Sequence, residues 1–498
     1  MPDAPAYNRR TLLIGSACIA AWQFSPLGGA LRAAVAGGVS ARIRGLIDQM
    51  TIEEKVGQLT LMPTPWTSAA AARINPEAAR KNVENLVGDA QTGRVGGVFN
   101  GYGVEAYQIL QRAAVQSRLK IPLVFAADVI HGYRTVFPVP LGEAASFDLD
   151  LAERTARAAA TEMAASGVDW VFAPMVDVGR DARWGRTVEG AGEDVLLSSD
   201  LAKARTRGFQ GASLSNNDSV AACMKHFAAY GAAEGGVDYN VADISERTLR
   251  EVYLPPFKAA IDAGCATTMA AFADLAGIPA HGNHWLLTDI LRGEMGFDGL
   301  VVGDYNGDVE LAAHGLAVDA RDAAKLALMA GVDMSMASGI YRDHLPSLIA
   351  AGEVPISRVD EAVSRVLTLK ERLGLFDDPF RRLDPKREKA RTRRKADLDL
   401  AREAAQRSIV LLKNDGDILP LPRSGKRIAL IGPFAEGPSN LNGPWTLFAE
   451  SKDAVDLATG IRQAVVDPAW VTVTKGSDVT APIAGGIEAA VAATRAAD

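Results

Sequence analysis

The chain has 498 residues, 48% of them hydrophobic and 23% charged, with a formal net charge of −7. This is ordinary globular composition and more chain than one domain needs. The acidic balance excludes the phosphate-neutralising surface of a nucleic-acid binder. No metal is expected either, because His131, His226, His281 and His284 show neither i, i+4 nor two-histidine-plus-carboxylate spacing. No glycine-rich loop opens a helix in the setting a phosphate-bearing cofactor needs, so no cofactor is expected. Cys223 and Cys265 lie in apolar contexts that suit buried free thiols.

The amino terminus reads Asn8-Arg9-Arg10-Thr11-Leu12-Leu13-Ile14, followed by an alanine-rich stretch. Paired arginines before a modest apolar run resemble a twin-arginine export signal, here spanning residues 1–36. The product would be periplasmic or secreted, with no membrane attachment once the signal is removed. From Ser40 to Leu61 the spacing of Ile43, Leu46, Ile47 and Met50 predicts a helix, restarted by the capping signal Thr51-Ile52-Glu53-Glu54.

Short apolar runs then alternate with helical stretches. Strands are predicted at Val95–Phe99, Leu123–Ala127, Trp170–Ala173, Ala221–Met224, Thr268–Ala271, Leu300–Gly303 and Val332–Met336. Amphipathic segments such as Leu151–Ser166, Ser245–Ala263 and Asp319–Ala330 lie between them. Repeated strand-helix units predict a parallel sheet closed into a TIM-type (β/α)8 barrel over residues 40–378, with Ser357–Leu373 as its last helix. A doubly wound open sheet is the other arrangement such units allow. The arginine- and lysine-rich run within 379–400 reads as a solvated linker. Residues 401–498 then begin an α/β sandwich with strands at Ile428–Ile431 and Val471–Val473, and the sequence stops at Asp498 with that domain incomplete.

The residue after each strand carries the chemistry. Asp128 follows Leu123–Ala127, Lys225-His226 follows Ala221–Met224, and Asp304 follows Leu300–Gly303. After Trp170–Ala173 comes a long loop, Pro174 to Asp194, holding Asp177, Arg180, Asp181, Arg183, Arg186, Glu193 and Asp194 around Trp184. Singly, each has a structural explanation: a helix cap, a local ion pair, a packed tryptophan. Together at one pole of a barrel they suit a hydroxyl-rich substrate, since carboxylates and a lysine bind vicinal hydroxyls while a tryptophan covers a sugar ring.

Phe172-Ala173-Pro174-Met175-Val176-Asp177-Val178, Arg183-Trp184-Gly185-Arg186, Gly192-Glu193-Asp194, Lys225-His226-Phe227-Ala228-Ala229-Tyr230-Gly231 and Gly299 to Asp304 together resemble the family 3 glycoside hydrolases, in their β-glucosidase branch. The resemblance implies a barrel followed by an α/β sandwich. It also implies a retaining, exo-acting hydrolase of terminal β-D-glucosyl residues, taking a small β-glucoside or oligosaccharide. By the same resemblance Asp304 is the nucleophile, and Asp128, Arg186, Lys225 and His226 grip sugar hydroxyls. Tyr305, where tryptophan or histidine is common, walls the sugar. Gly303 stands where serine is usual and Phe272 where tyrosine is common. Asp304 has to stay ionised, so neighbouring cations and donors are expected to hold its pKa low.

A retaining hydrolase needs a second carboxyl about 5 Å from the first. In the β-glucosidase branch that acid/base glutamate lies on a sandwich-domain loop past the point where this sequence stops, and Glu234 inherits no such role. The expectation is therefore a shortened, impaired β-glucosidase. A β-xylosidase of the same family and a sugar-binding pseudoenzyme are the alternatives.

Overall fold

The computed structural model describes residues 38–64 and 76–498, so the export signal expected over 1–36 lies outside the described residues. The chain divides into compact units at Gln49 and Met50. In the first, Ala41–Gln49 is a helix. The second opens with the helix Ile52–Gln58, capped as its sequence implies: Thr51 Oγ1 accepts from Glu54 N while Thr51 N donates to the Glu54 carboxylate.

Eight parallel strands follow: β1 Thr60–Pro63, β2 Gly97–Phe99, β3 Val124–Ala127, β4 Trp170–Val171, β5 Ala221–Phe227, β6 Thr267–Ala270, β7 Leu300–Val302 and β8 Ser335–Met336. Their spatial order is β8-β1-β2-β3-β4-β5-β6-β7. A parallel bridge from Val302 to Met334, with Gly303 N donating to Met334 O at 2.9 Å, closes the ring. The fold is a (β/α)8 barrel followed by a smaller α/β part. Seven strands fall where the apolar runs predict them. The eighth, β1, lies at the end of a stretch expected to stay helical to Leu61. There Leu59, Leu61 and Met62 fit either period, and the helix ends at Gln58.

Two buried aspartates pin neighbouring strands at the pole opposite the site. Asp169, just before β4, donates from its backbone N to Phe125 O of β3 at 2.8 Å, and its Oδ2 accepts from Phe125 N at 3.1 Å. Asp333, before β8, does the same to Val301 of β7, at 2.8 and 3.0 Å. Arg382 balances Asp169 at 2.9 Å, and Arg292, Arg358 and Arg365 surround Asp333 at 2.7, 3.0 and 2.9 Å. Burial pushes the Asp169 carboxyl up, whereas at Asp333 the three guanidinium charges outweigh burial and hold it down.

The basic stretch 379–400 is thus more than a solvated connection. It carries the helix Pro385–Arg391 and the start of Lys395–Ser408, and Arg382 is buried because Asp169 and four backbone carbonyls hold its guanidinium. Beyond it, the parallel pair Ile428–Ile431 and Val471–Thr474 packs with the helices Leu457–Ala464 and Gly486–Ala496. Cys223 and Cys265 are buried free thiols.

Candidate active site

Strands fix where their carboxyl ends point, and here those ends share one hollow. A cavity of about 460 Å³ is lined by Asp128, Arg186, Lys225, Asp304 and Tyr305, and His226 sits behind them with Nε2 3.6 Å from Asp304 Oδ2. All six residues expected from the sequence therefore meet.

The register of β5 against β6 shifts between Met224 and Phe227. This irregularity breaks the alternation that would send consecutive side chains to opposite faces, so Lys225 and His226 both serve the hollow. Lys225 Nζ reaches Asp128 Oδ1 at 3.2 Å. Asp128 is held from its other side by Asn100, whose Nδ2 donates to Oδ2 at 2.9 Å and whose Oδ1 accepts from Asp128 N at 2.8 Å. His226 gives its backbone N–H and its Nδ1 to Asp177 Oδ2, at 2.9 and 2.8 Å. With the proton on Nδ1, Nε2 is left to accept from Arg186 Nη2 at 3.0 Å. Burial, then the charges of Arg186 and Lys225, push His226 well below the usual histidine range, so it is neutral. Burial drives Asp177 up to about 7. Arg186 keeps its charge against burial through a two-pronged pairing with Glu189, at 2.7 and 3.0 Å.

Asp304 is buried, at 8% exposure. Its Oδ1 accepts from Tyr305 N at 2.7 Å, and its buried Oδ2 has no hydrogen-bond partner. The pKa expected to be low is instead pushed up to about 6, because burial outweighs the Lys225 charge, the Tyr305 N–H and the Arg186 charge. Tyr305 is half exposed at the rim, edge-on to Phe99 with ring centroids 6.2 Å apart.

Other loop residues do different work. Trp184 is buried and gives Nε1 to Asp238 at 2.8 Å, so it packs and does not cover a sugar. Arg183 pairs with Asp181 in solvent, Asp194 caps the helix Val195–Gln210, and Glu234 is exposed.

Asn100 and Trp445 are among the contributors that escaped the sequence reading. Asn100 directly follows a predicted strand, and the rule that found Asp128 would have found it too. Trp445 carried no such signal: it comes from a carboxy-terminal loop with Lys225 Nζ 5.3 Å and Arg186 Cζ 5.9 Å from its ring centroid. That loop is fastened to the barrel. His131 Nε2 lies 2.6 Å from Pro444 O, Arg134 donates to Phe448 O at 2.9 Å, and Phe448 stacks on Tyr133 with centroids 4.6 Å apart.

A closed parallel barrel that gathers carboxylates, a lysine, an arginine and a neutral histidine in one aromatic-walled hollow has the makings of a carbohydrate-processing enzyme. The chain belongs to glycosyl hydrolase family 3: the family's N-terminal domain pattern matches residues 51–369 and its C-terminal domain pattern residues 409–498. It is 42% identical over 448 residues to a periplasmic beta-glucosidase of Salmonella typhimurium, covering 88% of this chain and 56% of that protein. It is 34% identical over 417 residues to a beta-xylosidase of Formosa agariphila, covering 78% and 57% of the two chains. Among solved structures, a beta-glucosidase from Listeria innocua superposes with a TM-score of 0.85 at 39% identity, over 92% of this chain and 63% of that one. The chain thus spans less than two thirds of the length of these relatives.

Proposed function

We propose that the site is that of a retaining, exo-acting β-glucosidase that removes terminal non-reducing β-D-glucosyl residues, with Asp304 as nucleophile. The observation that carries this is the buried, unpartnered Oδ2 of Asp304, set in the cavity between groups suited to hold hydroxyls. Oδ2 attacks the anomeric carbon, and a carbon–oxygen bond forms as the glycosidic one breaks. The leaving oxygen takes the bonding pair and a proton drawn from solvent, which the water attacking in the next step gives back. Water then attacks the same carbon, frees the carboxylate and delivers glucose with retained configuration. Asp128, steadied by Asn100 and Lys225, accepts from sugar hydroxyls, while Lys225 and Arg186 donate. Tyr305 walls the entrance.

The relatives support glucose: Listeria innocua beta-glucosidase structures are described as complexes with glucose and, for a mutant, with laminaribiose. The Formosa relative, named a beta-xylosidase, keeps xylose as the second reading. The Salmonella relative is named periplasmic, which together with Arg9-Arg10 supports export by the twin-arginine route. Among the described residues no helix is long and apolar enough to cross a membrane.

An activated aryl 2-deoxy-2-fluoro-glucoside tests the reading, because its leaving group departs with little help from an acid. The expected result is a covalent adduct on Asp304, absent in Asp304→Ala, and slower labelling by the xyloside. Binding without an adduct would make the protein a sugar binder. Equal turnover of an aryl glucoside by Asp304→Ala and wild type would reject the site.

A further inference from the structure

β6 and β7 run side by side, with Thr267 opposite Leu300, Thr268 opposite Val301 and Met269 opposite Val302. At the rim this ladder is interrupted. Asp304 N donates to His281 Nε2 at 2.9 Å instead of to a carbonyl of the neighbouring strand. The ring's other neighbour in charge terms is the backbone of Ala271, one residue past the end of β6. One imidazole therefore takes the place of a direct hydrogen bond between the two strand ends. Nε2 accepts from the Asp304 amide, so the ring's proton falls on Nδ1, the nitrogen left to serve the Ala271 backbone.

The surroundings are shaped for this ring. His281 is 2% exposed and sits in the single turn Ala280–Gly282, which directly follows the hairpin of Asp274–Leu275 with Ile278–Pro279. A Cβ on Gly307 would lie 2.3 Å from its Cε1, and one on Gly303 would lie 3.4 Å from Nε2. Glycine at 307 is thus required by the ring, whereas a Cβ at 303 would make only ordinary contact with it. Burial pushes the imidazole down to about 4, so at neutral pH it is uncharged and keeps the lone pair that the amide needs.

We infer that His281 is the positioning residue for Asp304, an imidazole inserted at the rim between β6 and β7 that fixes the nucleophile's backbone and so the direction of its carboxylate. Together with Gly307 N on Asp304 O at 3.0 Å and Tyr305 N on Oδ1 at 2.7 Å, the contact leaves Oδ2 as the free oxygen of the residue. The inference rests on the reading of Asp304 as nucleophile. It adds that the aim of this carboxylate depends on a side chain that does not line the cavity.

The test compares His281→Leu, which loses both hydrogen bonds, with His281→Gln, whose amide can donate and accept. His281→Asn, too short to hold both contacts, is the second perturbation should the leucine variant not fold. Three quantities are measured: the rate of Asp304 labelling by the activated fluoro-glucoside, the affinity for glucose, and hydrogen exchange at the Asp304 amide. Leucine is expected to slow labelling about a hundredfold, the order that a misplacement of about 1 Å costs. Glucose affinity should hold within about threefold, the Asp304 amide should exchange faster, and glutamine should recover most of the labelling rate.

Wild-type labelling rate in the leucine or asparagine variant would overturn the inference. So would unchanged exchange at Asp304, or a parallel loss of affinity and labelling that glutamine does not repair. If wild type itself forms no adduct, or forms one elsewhere, the reading of Asp304 fails. The exchange measurement still decides separately whether His281 holds the amide.

Discussion

At the scale of single residues, the site sets one requirement against another at Asp304. As the proposed nucleophile Asp304 has to be ionised, yet it is buried and its pKa stands at about 6. With that group controlling the acid limb, kcat/KM for an aryl glucoside falls tenfold per pH unit below about 6, and the limb reports the free protein. The Lys225 charge lowers this pKa, so Lys225→Met is expected to move the limb to higher pH, separately from any loss of sugar binding; an unmoved limb would deny Lys225 its electrostatic part. The same shift has a stability sign. The folded pKa of about 6 lies above the ordinary aspartate value of 3.8, so between these pH values the native state holds a proton that the unfolded chain has released. That contribution is present below about pH 4 and is lost as pH rises through 6. Asp304→Asn is therefore expected to stabilise the fold at pH 7.5 by roughly 2–3 kcal/mol, with the gain vanishing near pH 3.5, as read from denaturant titrations at both pH values. Identity and position of this carboxylate were legible because it follows an apolar run. Its burial was not, since the groups that enclose it arrive from distant parts of the chain.

At the scale of elements, seven strands were legible and the eighth was hidden, and the reason is local. Apolar runs bounded by glycine or charge, such as Leu300 to Val302, announce themselves, whereas β1 is written as the tail of a helix. Less visible still is a correspondence between two halves of the barrel. Gly167-Val168-Asp169 and Gly331-Val332-Asp333 repeat in sequence, and each aspartate grips the strand before its own through one backbone pair, at Phe125 and Val301. Three residues past those grips come Asp128 and Asp304. The carboxylates at the rim are thus held in register by carboxylates at the opposite pole. Asp333→Ala would strand three mostly buried guanidinium groups and release Val301. The expected cost is about 3–5 kcal/mol, the range for breaking a buried ion pair by removing one partner. A thermal melt that moves by less than a degree would show that the arginines find other partners. The clips escaped the sequence reading because their partners, Arg292 to Arg382, are remote in sequence and look like ordinary surface charge.

At the scale of the whole barrel-bearing unit, the cavity is completed from outside the barrel. Trp445, Leu447 and Phe448 line it together with the strand-end residues, and they belong to a loop more than a hundred residues past β8. Sequence order gave no hint of this, because a loop's destination depends on what it docks against. The docking is specific: Phe448, at 4% exposure, rests on Tyr133, and the carbonyls of Pro444 and Phe448 meet His131 and Arg134. If this anchor holds Trp445 against Lys225 and Arg186, stability and sugar binding are coupled through Phe448 but not through Trp445. Phe448→Ala is expected to cost about 3–5 kcal/mol, the usual price of truncating a buried phenylalanine, and to weaken glucose binding as the loop loses its seat. Trp445→Ala should weaken binding comparably while costing distinctly less stability, since its ring faces the cavity and gains chiefly from cations worth about 0.5–2 kcal/mol. Calorimetric titration with glucose beside urea unfolding separates the two effects. A Phe448→Ala protein that is destabilised yet binds glucose as wild type does would mean that the barrel alone places the sugar and that the loop merely covers it.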